Sequence, residues 1–261
     1  MKTLFFLSGL SRSGSTLLGS LLSQHPEIHT TPTSPLADIL CTLDEGFKRC
    51  DIQYTYDESQ IRYNTYNSIL SNFYNHIPKK YVLDKHRGWT RNVSSIEKFL
   101  DNEVKIIATY RPIPEVLSSF ITLIDKDENN FIDNRLRREN LPITTDNRLE
   151  YLWRFYTSDV YESLIYGLRH HRKNIYLVEY NNLVQNPEKE LNSIYEFLNI
   201  EPHIHNFSNI LNTCAEEKDN EWGLNDLHTI RPKLERKSRP PEEVIGEENV
   251  KLYSVFNIYE N

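Results

Sequence analysis

The chain of 261 residues carries 30 Lys and Arg against 37 Asp and Glu, a net charge of −7, which excludes a general nucleic-acid binder because that function needs a broad basic field. No run approaches the ~20 apolar residues of a membrane-spanning helix, and Cys41, Cys50 and Cys214 form neither an even framework nor a C-x-x-C pair, so a reducing, cytoplasmic setting is expected. The length suits one domain, residues 1–261 taken whole, with a sizeable core. The start, MKTLFFLSGLSRSGS, imitates a signal peptide only in one Lys and a short apolar stretch, and cleavage would destroy the loop pattern that follows.

Short apolar runs alternate with helical patterns along the chain. TLFFLSG, residues 3–9, is a continuous apolar run ended by glycine, as a buried parallel strand would be. A helix follows over 15–26, with Leu17, Leu18, Leu21 and Leu22 at helical spacing, and stops at Pro26. KYVLDK (80–85) and VKIIATYR (104–111) read as further strands, and PEVLSSFITLI (114–124) as a helix entered through Pro114. Residues 125–146 are charged and polar and read as a surface excursion or lid. The longest helix is expected over 147–171, with Asn147 and Glu150 as a capping box and Leu149, Leu152, Trp153, Tyr156, Val160, Leu164 and Leu168 as its apolar stripe. NIYLVEY (174–180) is a fourth strand and PEKELNSIYEFLNI (187–200) the helix after it, whereas 214–248 are poor in apolar residues. Such alternation predicts an α/β fold of three layers, α/β/α, around a mostly parallel sheet.

The segment SGLSRSGSTLL, residues 8–18, carries the chemistry. From Gly9 it follows the phosphate-loop spacing G-x-x-x-x-G-K-[ST], except that Ser15 fills the lysine slot and the nearby cation is Arg12, inside the loop. A strand, a glycine-bearing loop and a helix start are the context of an anion cradle. Backbone N–H groups point at the anion and the helix dipole favours negative charge. Gly9 and Gly14 allow close backbone approach. Arg12 adds a forked donor set suited to phosphate or sulfate oxygens, and Ser11, Ser13, Ser15 and Thr16 add hydroxyls.

At these residues the chain resembles the sulfotransferases, whose 5′-phosphosulfate loop typically reads G-x-P-[RK]-S-G-[ST]-T-x-L. The resemblance implies a fold like that of the P-loop NTPases and, as sulfuryl donor, 3′-phosphoadenosine 5′-phosphosulfate (PAPS), leaving 3′-phosphoadenosine 5′-phosphate (PAP), without a metal. Ser11 stands where proline is common. IIATYRPIPEVLSSF resembles the family's 3′-phosphate site, an arginine at a strand end and a serine eight positions on, here Arg111 and Ser119. NIYLVEYNNLVQNPEKEL resembles a segment that would place Tyr180 near the adenine. IRPKLERKSRPPEEV puts Arg231, Lys233, Arg236, Lys237 and Arg239 within nine residues of an acidic chain. It resembles a C-terminal loop that closes over the nucleotide, with Lys237 and Ser238 chosen for phosphate contact.

Sulfuryl transfer must stabilise charge on the transferring group and leaving phosphate, and must align an attacking oxygen. Arg12 suits the first task. For the second, family members use a histidine after a lysine at a place comparable to VLDKHRGW, so His86 is the expected general base, with Asp84 and His29 as alternatives. Other branches use a glutamate about twenty residues after the loop, where HTTPTSPL has no acid. Competing readings are a magnesium-dependent P-loop phosphotransferase, with Asp84 and Thr16 on the metal, and a nucleotide-binding fold serving only protein interaction. The acceptor, a hydroxyl or amine, is open between carbohydrate, protein tyrosine and small molecule.

Overall fold

The computed structural model describes residues 2–49, 57–214, 224, 226–235 and 238–258. Five strands, β1 (Thr3–Gly9), β2 (Ile28–Thr33), β3 (Tyr81–Lys85), β4 (Ile106–Tyr110) and β5 (Ile175–Glu179), form one sheet in the order β2-β3-β1-β4-β5. Every pairing is parallel. Early helices are α1 (Ser15–Leu22), α2 (Leu36–Arg49), α3 (Glu58–Asn72) and α4 (Val93–Glu97). Next come α5 (Ile113–Ile124), α6 (Phe131–Arg138), α7 (Thr145–Leu152) and α8 (Ser158–His170). The last are α9 (Tyr180–Gln185), α10 (Pro187–Leu198), α11 (Pro241–Ile245) and α12 (Glu247–Ser254).

The strands bury both faces, and alternation along β1 divides the core in two. Leu4 and Phe6 join Val82, Ile106, Ala108 and the side chains of α5, α7 and α8. Phe5 and Leu7 face the other way, onto Leu17, Leu18, Leu21 and Leu22 of α1 and Leu191, Ile194 and Leu198 of α10. The result is the expected α/β/α fold with a P-loop-like strand–loop–helix at its centre. β1 lies between β3 and β4, so the chain crosses from one side of β1 to the other on passing from β3 to β4. The carboxyl ends of these three strands therefore frame a crevice, where open α/β sheets bind ligands.

Three local features differ from the expectations. β2, IHTTPT, has too few apolar residues and a proline. It forms because it is the sheet edge, where Pro32 costs no ladder bond, and its register slips between Thr30 and Thr33. The helix expected from Asn147 starts at Thr145: Thr144 is the N-cap, its Oγ1 accepting from the Asn147 N–H at 3.2 Å, so the Asn147–Glu150 capping box does not form. That helix is also not continuous. A π-helical turn at Trp153–Thr157 separates α7 from α8, and the Thr157 hydroxyl donates to the Leu152 carbonyl at 3.1 Å. Finally, the polar stretch 125–146 contains α6, tied down by Arg148, which reaches buried Asp133 at 2.6 Å and Asp125 at 2.9 Å.

Candidate functional site

The loop after β1 is shaped by three residues in the left-handed region, Gly9 at φ 120°, Arg12 at φ 58° and Gly14 at φ 90°. Gly9 is obligatory, since a Cβ there would lie 2.1 Å from the Thr109 carbonyl oxygen of β4. Gly14 is the N-cap of α1 and has no side chain to spend on the helix. Its first N–H groups are thus left without intrahelical partners at the positive end of the helix dipole. Arg12 holds a conformation that costs a non-glycine residue energy and that clusters at functional sites.

This loop floors a cavity of about 490 Å³. Ser11, Arg12, Gly14, Ser15, Thr16, Arg111, Ser119 and Tyr180 all line it, so the residues singled out from three separate motifs meet. Arg12 Nε donates to Ser119 Oγ at 3.2 Å, and Arg111 Nη1 donates to the Arg12 carbonyl at 3.4 Å. Arg111 is 5% exposed. Its Nε donates to Glu115 Oε2 at 3.0 Å, while Asn181 Nδ2 donates to Glu115 Oε1 at 3.2 Å. The Tyr180 ring stacks on Arg111, 4.6 Å from its Cζ, and abuts Gly14, where a Cβ would lie 2.6 Å from Tyr180 Cδ2.

The loop serines divide by role. Ser11 is buried and its Oγ has no partner among the described residues, although it lines the cavity. A buried hydroxyl without a partner is costly, and a ligand oxygen would satisfy it. Ser13 is fully buried, with its Oγ 2.5 Å from the Leu10 carbonyl and 2.6 Å from Thr109 Oγ1, so that hydroxyl is committed to holding the loop on β4. Thr16 Oγ1 accepts from Lys85 Nζ at 3.3 Å. Lys85, the last residue of β3 and 8% exposed, is a site residue that the loop pattern does not reveal. Its only signal is that VLDK ends a strand with a cation.

His86 also lines the cavity, with its Nε2 3.4 Å from Asp38 Oδ1 on α2. The two alternatives to it are not at the site. Asp84 is fully buried and turned to the opposite face, where Oδ1 accepts from Trp89 Nε1 at 2.8 Å and Oδ2 from the Tyr74 hydroxyl at 2.5 Å. Burial pushes its carboxyl above the ordinary range against the pull of these hydrogen bonds. With both oxygens so used, Asp84 cannot share a cation with Thr16, as the phosphotransferase reading requires. His29 stands on β2 beside Lys79, His76 and Lys2, towards the amino ends of the strands, and burial lowers its pKa.

Residues 226–235 pass over the cavity and add Arg231 and Lys233 to its lining. Arg12 Nη1 donates to the Leu227 carbonyl, and Lys126 Nζ pairs with Asp226 at 3.2 Å. Ser238 and Arg239 line the same cavity, whereas Lys237 and Arg236 lie outside the described residues.

A helix N-terminus, a glycine-shaped loop and converging cations define an anion-binding α/β protein whose phosphate loop lacks its lysine. A sequence model of the sulfotransferase family matches residues 5–203, and the chain belongs to that family and is a sulfotransferase. No curated protein matches the chain. Among solved structures, the sulfotransferase domain from the Synechococcus PCC 7002 olefin synthase is 20% identical, with 95% of this chain and 94% of that one covered and a TM-score of 0.49. Mouse sulfotransferase SULT7A1, solved with PAP, is 17% identical over 78% of this chain and 61% of its own, at a TM-score of 0.47. Retinol dehydratase in complex with retinol and PAP is 16% identical over 98% and 80%, at a TM-score of 0.48.

Proposed function

We propose that the protein moves the sulfuryl group of PAPS to a hydroxyl or amine acceptor, in the cytoplasm and without a metal. The free thiols Cys41 and Cys214 suit that compartment. The observation that carries the reading is the convergence of Arg12, Arg111 and Ser119 on one cavity, which is also lined by the buried Ser11, whose hydroxyl has no partner among the described residues. PAPS supplies a sulfuryl group on a phosphate leaving group. Arg12, the start of α1 and the hydroxyls of Ser11, Ser15 and Thr16 hold its 5′-phosphosulfate, with Ser13 contributing through its backbone N–H. Arg111 and Ser119 take the 3′-phosphate and Tyr180 the adenine. Ser238, which lines the cavity from the C-terminal segment, contacts the phosphates. Lys85, beside Thr16, adds a second cation where charge gathers on the leaving phosphate. The acceptor's proton leaves through the Asp38–His86 pair.

Calorimetry tests the donor. PAP should bind at micromolar levels or tighter in the presence of a chelator, and ATP–magnesium should not compete. Magnesium-dependent ATP binding with no binding of PAP overturns the reading.

A further inference from the structure

The two ring nitrogens of His86 are both engaged. The Gly88 backbone N–H donates to Nδ1 at 3.1 Å. The same local turn recurs at His25, whose Nδ1 accepts from the Glu27 N–H at 3.1 Å. An N–H aimed at Nδ1 needs a lone pair there, so a neutral His86 ring carries its proton on Nε2. Nε2 in turn lies 3.4 Å from Asp38 Oδ1, within ion-pair reach of the carboxylate. A ring in this state has no lone pair left with which to accept a proton from an attacking hydroxyl.

Asp38 has what His86 lacks. Its Oδ1 faces the imidazole at 3.4 Å, and the carboxylate has no hydrogen-bond partner among the described residues. Its side chain is 75% exposed. The two residues belong to elements that line different cavities. His86 lines the donor cavity. Ala37 and Cys41, next to Asp38 and one turn on along α2, line a second cavity of about 340 Å³ with Trp89 and Tyr66. The Trp89 ring lies 6.0 Å from that of His86.

We infer that Asp38 is the general base toward the acceptor and that His86, through its Nε2–H, is the donor that holds the carboxylate in place. The inference rests on the sulfuryl-transfer reading above. The acceptor enters from the second cavity and its O–H donates to Asp38 Oδ2. As the acceptor oxygen bonds to sulfur, the bond from sulfur to the 5′-phosphate oxygen breaks and that oxygen leaves with the electron pair. The proton passes to Asp38 and from there to water. The His86 proton stays where it is.

Two measurements on the full chain test this. Long-range ¹H–¹⁵N spectra of the PAP-bound protein at neutral pH should show His86 protonated on Nε2 only; a proton on Nδ1 overturns the assignment. Turnover of PAPS is then followed with water and with 4-nitrophenol as acceptors. Asp38→Asn should lower it about 10²-fold or more, the range of a lost general base. His86→Gln, which keeps an N–H donor but no base, should cost about tenfold. The reverse order, or indifference to Asp38→Asn, refutes the proposal. PAP affinity should be unchanged in both variants. Failure of the parent protein to bind PAP would instead strike at the donor reading and leave the same tautomer measurement, made on the ligand-free protein, to decide the pair.

Discussion

Arg111→Ala isolates the nucleotide-discriminating half of the site. The guanidinium is 5% exposed and Nη2 has no partner among the described residues, so one edge of the fork remains for a phosphate. A charge-assisted hydrogen bond of this kind contributes roughly 1.5–3 kcal/mol. The loss of PAP affinity is expected at about 2–3 kcal/mol, or roughly 30- to 150-fold. The neighbouring carboxylate sets the direction of a second effect. Glu115 is 13% exposed and holds Arg111 Nε at 3.0 Å, so without the arginine it loses its guanidinium partner and repels an incoming phosphate. Glu115→Gln alone should therefore tighten PAP by roughly 1 kcal/mol, as one like charge near the phosphate is removed. It should also recover part of the loss when combined with Arg111→Ala. Titration calorimetry with PAP and with 5′-AMP gives the decisive difference, because AMP lacks the 3′-phosphate. AMP binding should change by less than about 0.5 kcal/mol, with the remaining effect coming from the Arg12 carbonyl that Arg111 steadies. Equal losses for the two nucleotides would refute the assignment and make Arg111 a brace for the loop.

Lys85→Met keeps the buried stem and removes the ammonium beside Thr16. It should slow PAPS turnover by about 10²-fold while PAP still binds, and unchanged turnover would take Lys85 out of the chemistry. Gly9→Ala places a methyl 2.1 Å from the Thr109 carbonyl at φ 120° and should cost about 3 kcal/mol or more. Calorimetric melting should show this as a fall of about 6–12 °C in Tm. Acid should destabilise the fold through His205, whose pKa burial depresses to about 4. The folded state binds fewer protons than the unfolded state between that value and the ordinary histidine value of 6.5. Stability is therefore complete above about pH 6.5 and falls as pH drops toward 4, by less than the roughly 3 kcal/mol of the full shift because the ring is only partly buried. His205→Gln, which still offers Tyr195 a hydrogen bond, should flatten that decline in urea melts recorded between these limits.

What the sequence reveals depends on how local the determining force is. β1, its loop and α1 are legible because an unbroken apolar run, two glycines and a leucine stripe each have one physical reading, and the structure places them at the centre of the sheet. β2 is not legible: a strand that threonines and a proline could form is made only by its place at the edge beside β3. The π-turn at Trp153–Thr157 is hidden for a different reason. A hydrophobic stripe reports which face is buried, and one extra residue in a turn leaves Trp153 and Tyr156 still packed, against Phe256 and Phe131. Asp84, Lys85 and His86 are adjacent in sequence, yet β-strand alternation turns Asp84 towards Tyr74 and Trp89 and Lys85 towards Thr16. Asp38 falls just past HTTPTSPL, and nothing local ties it to His86, 48 residues away.

The same topology explains how a phosphate loop dispenses with its lysine. In the usual pattern one side chain, fixed by its position in the loop, reaches over the phosphates. Here the loop follows the central strand, and the register of that strand with its two neighbours sets what stands beside it. Leu7 pairs with Lys85 on one side and Gly9 with Thr109 on the other. The carboxyl ends of β3 and β4 therefore emerge level with the loop, bringing Lys85, the last residue of β3, and His86 and Arg111, the first residues past the two strands. With Arg12 turned back in the left-handed region, three cations from three consecutive positions in the sheet surround one helix N-terminus. None of them needs to occupy the position that Ser15 holds. Gly9 is what permits this, because only without a Cβ can β1 and β4 stay paired to the end where the loop begins.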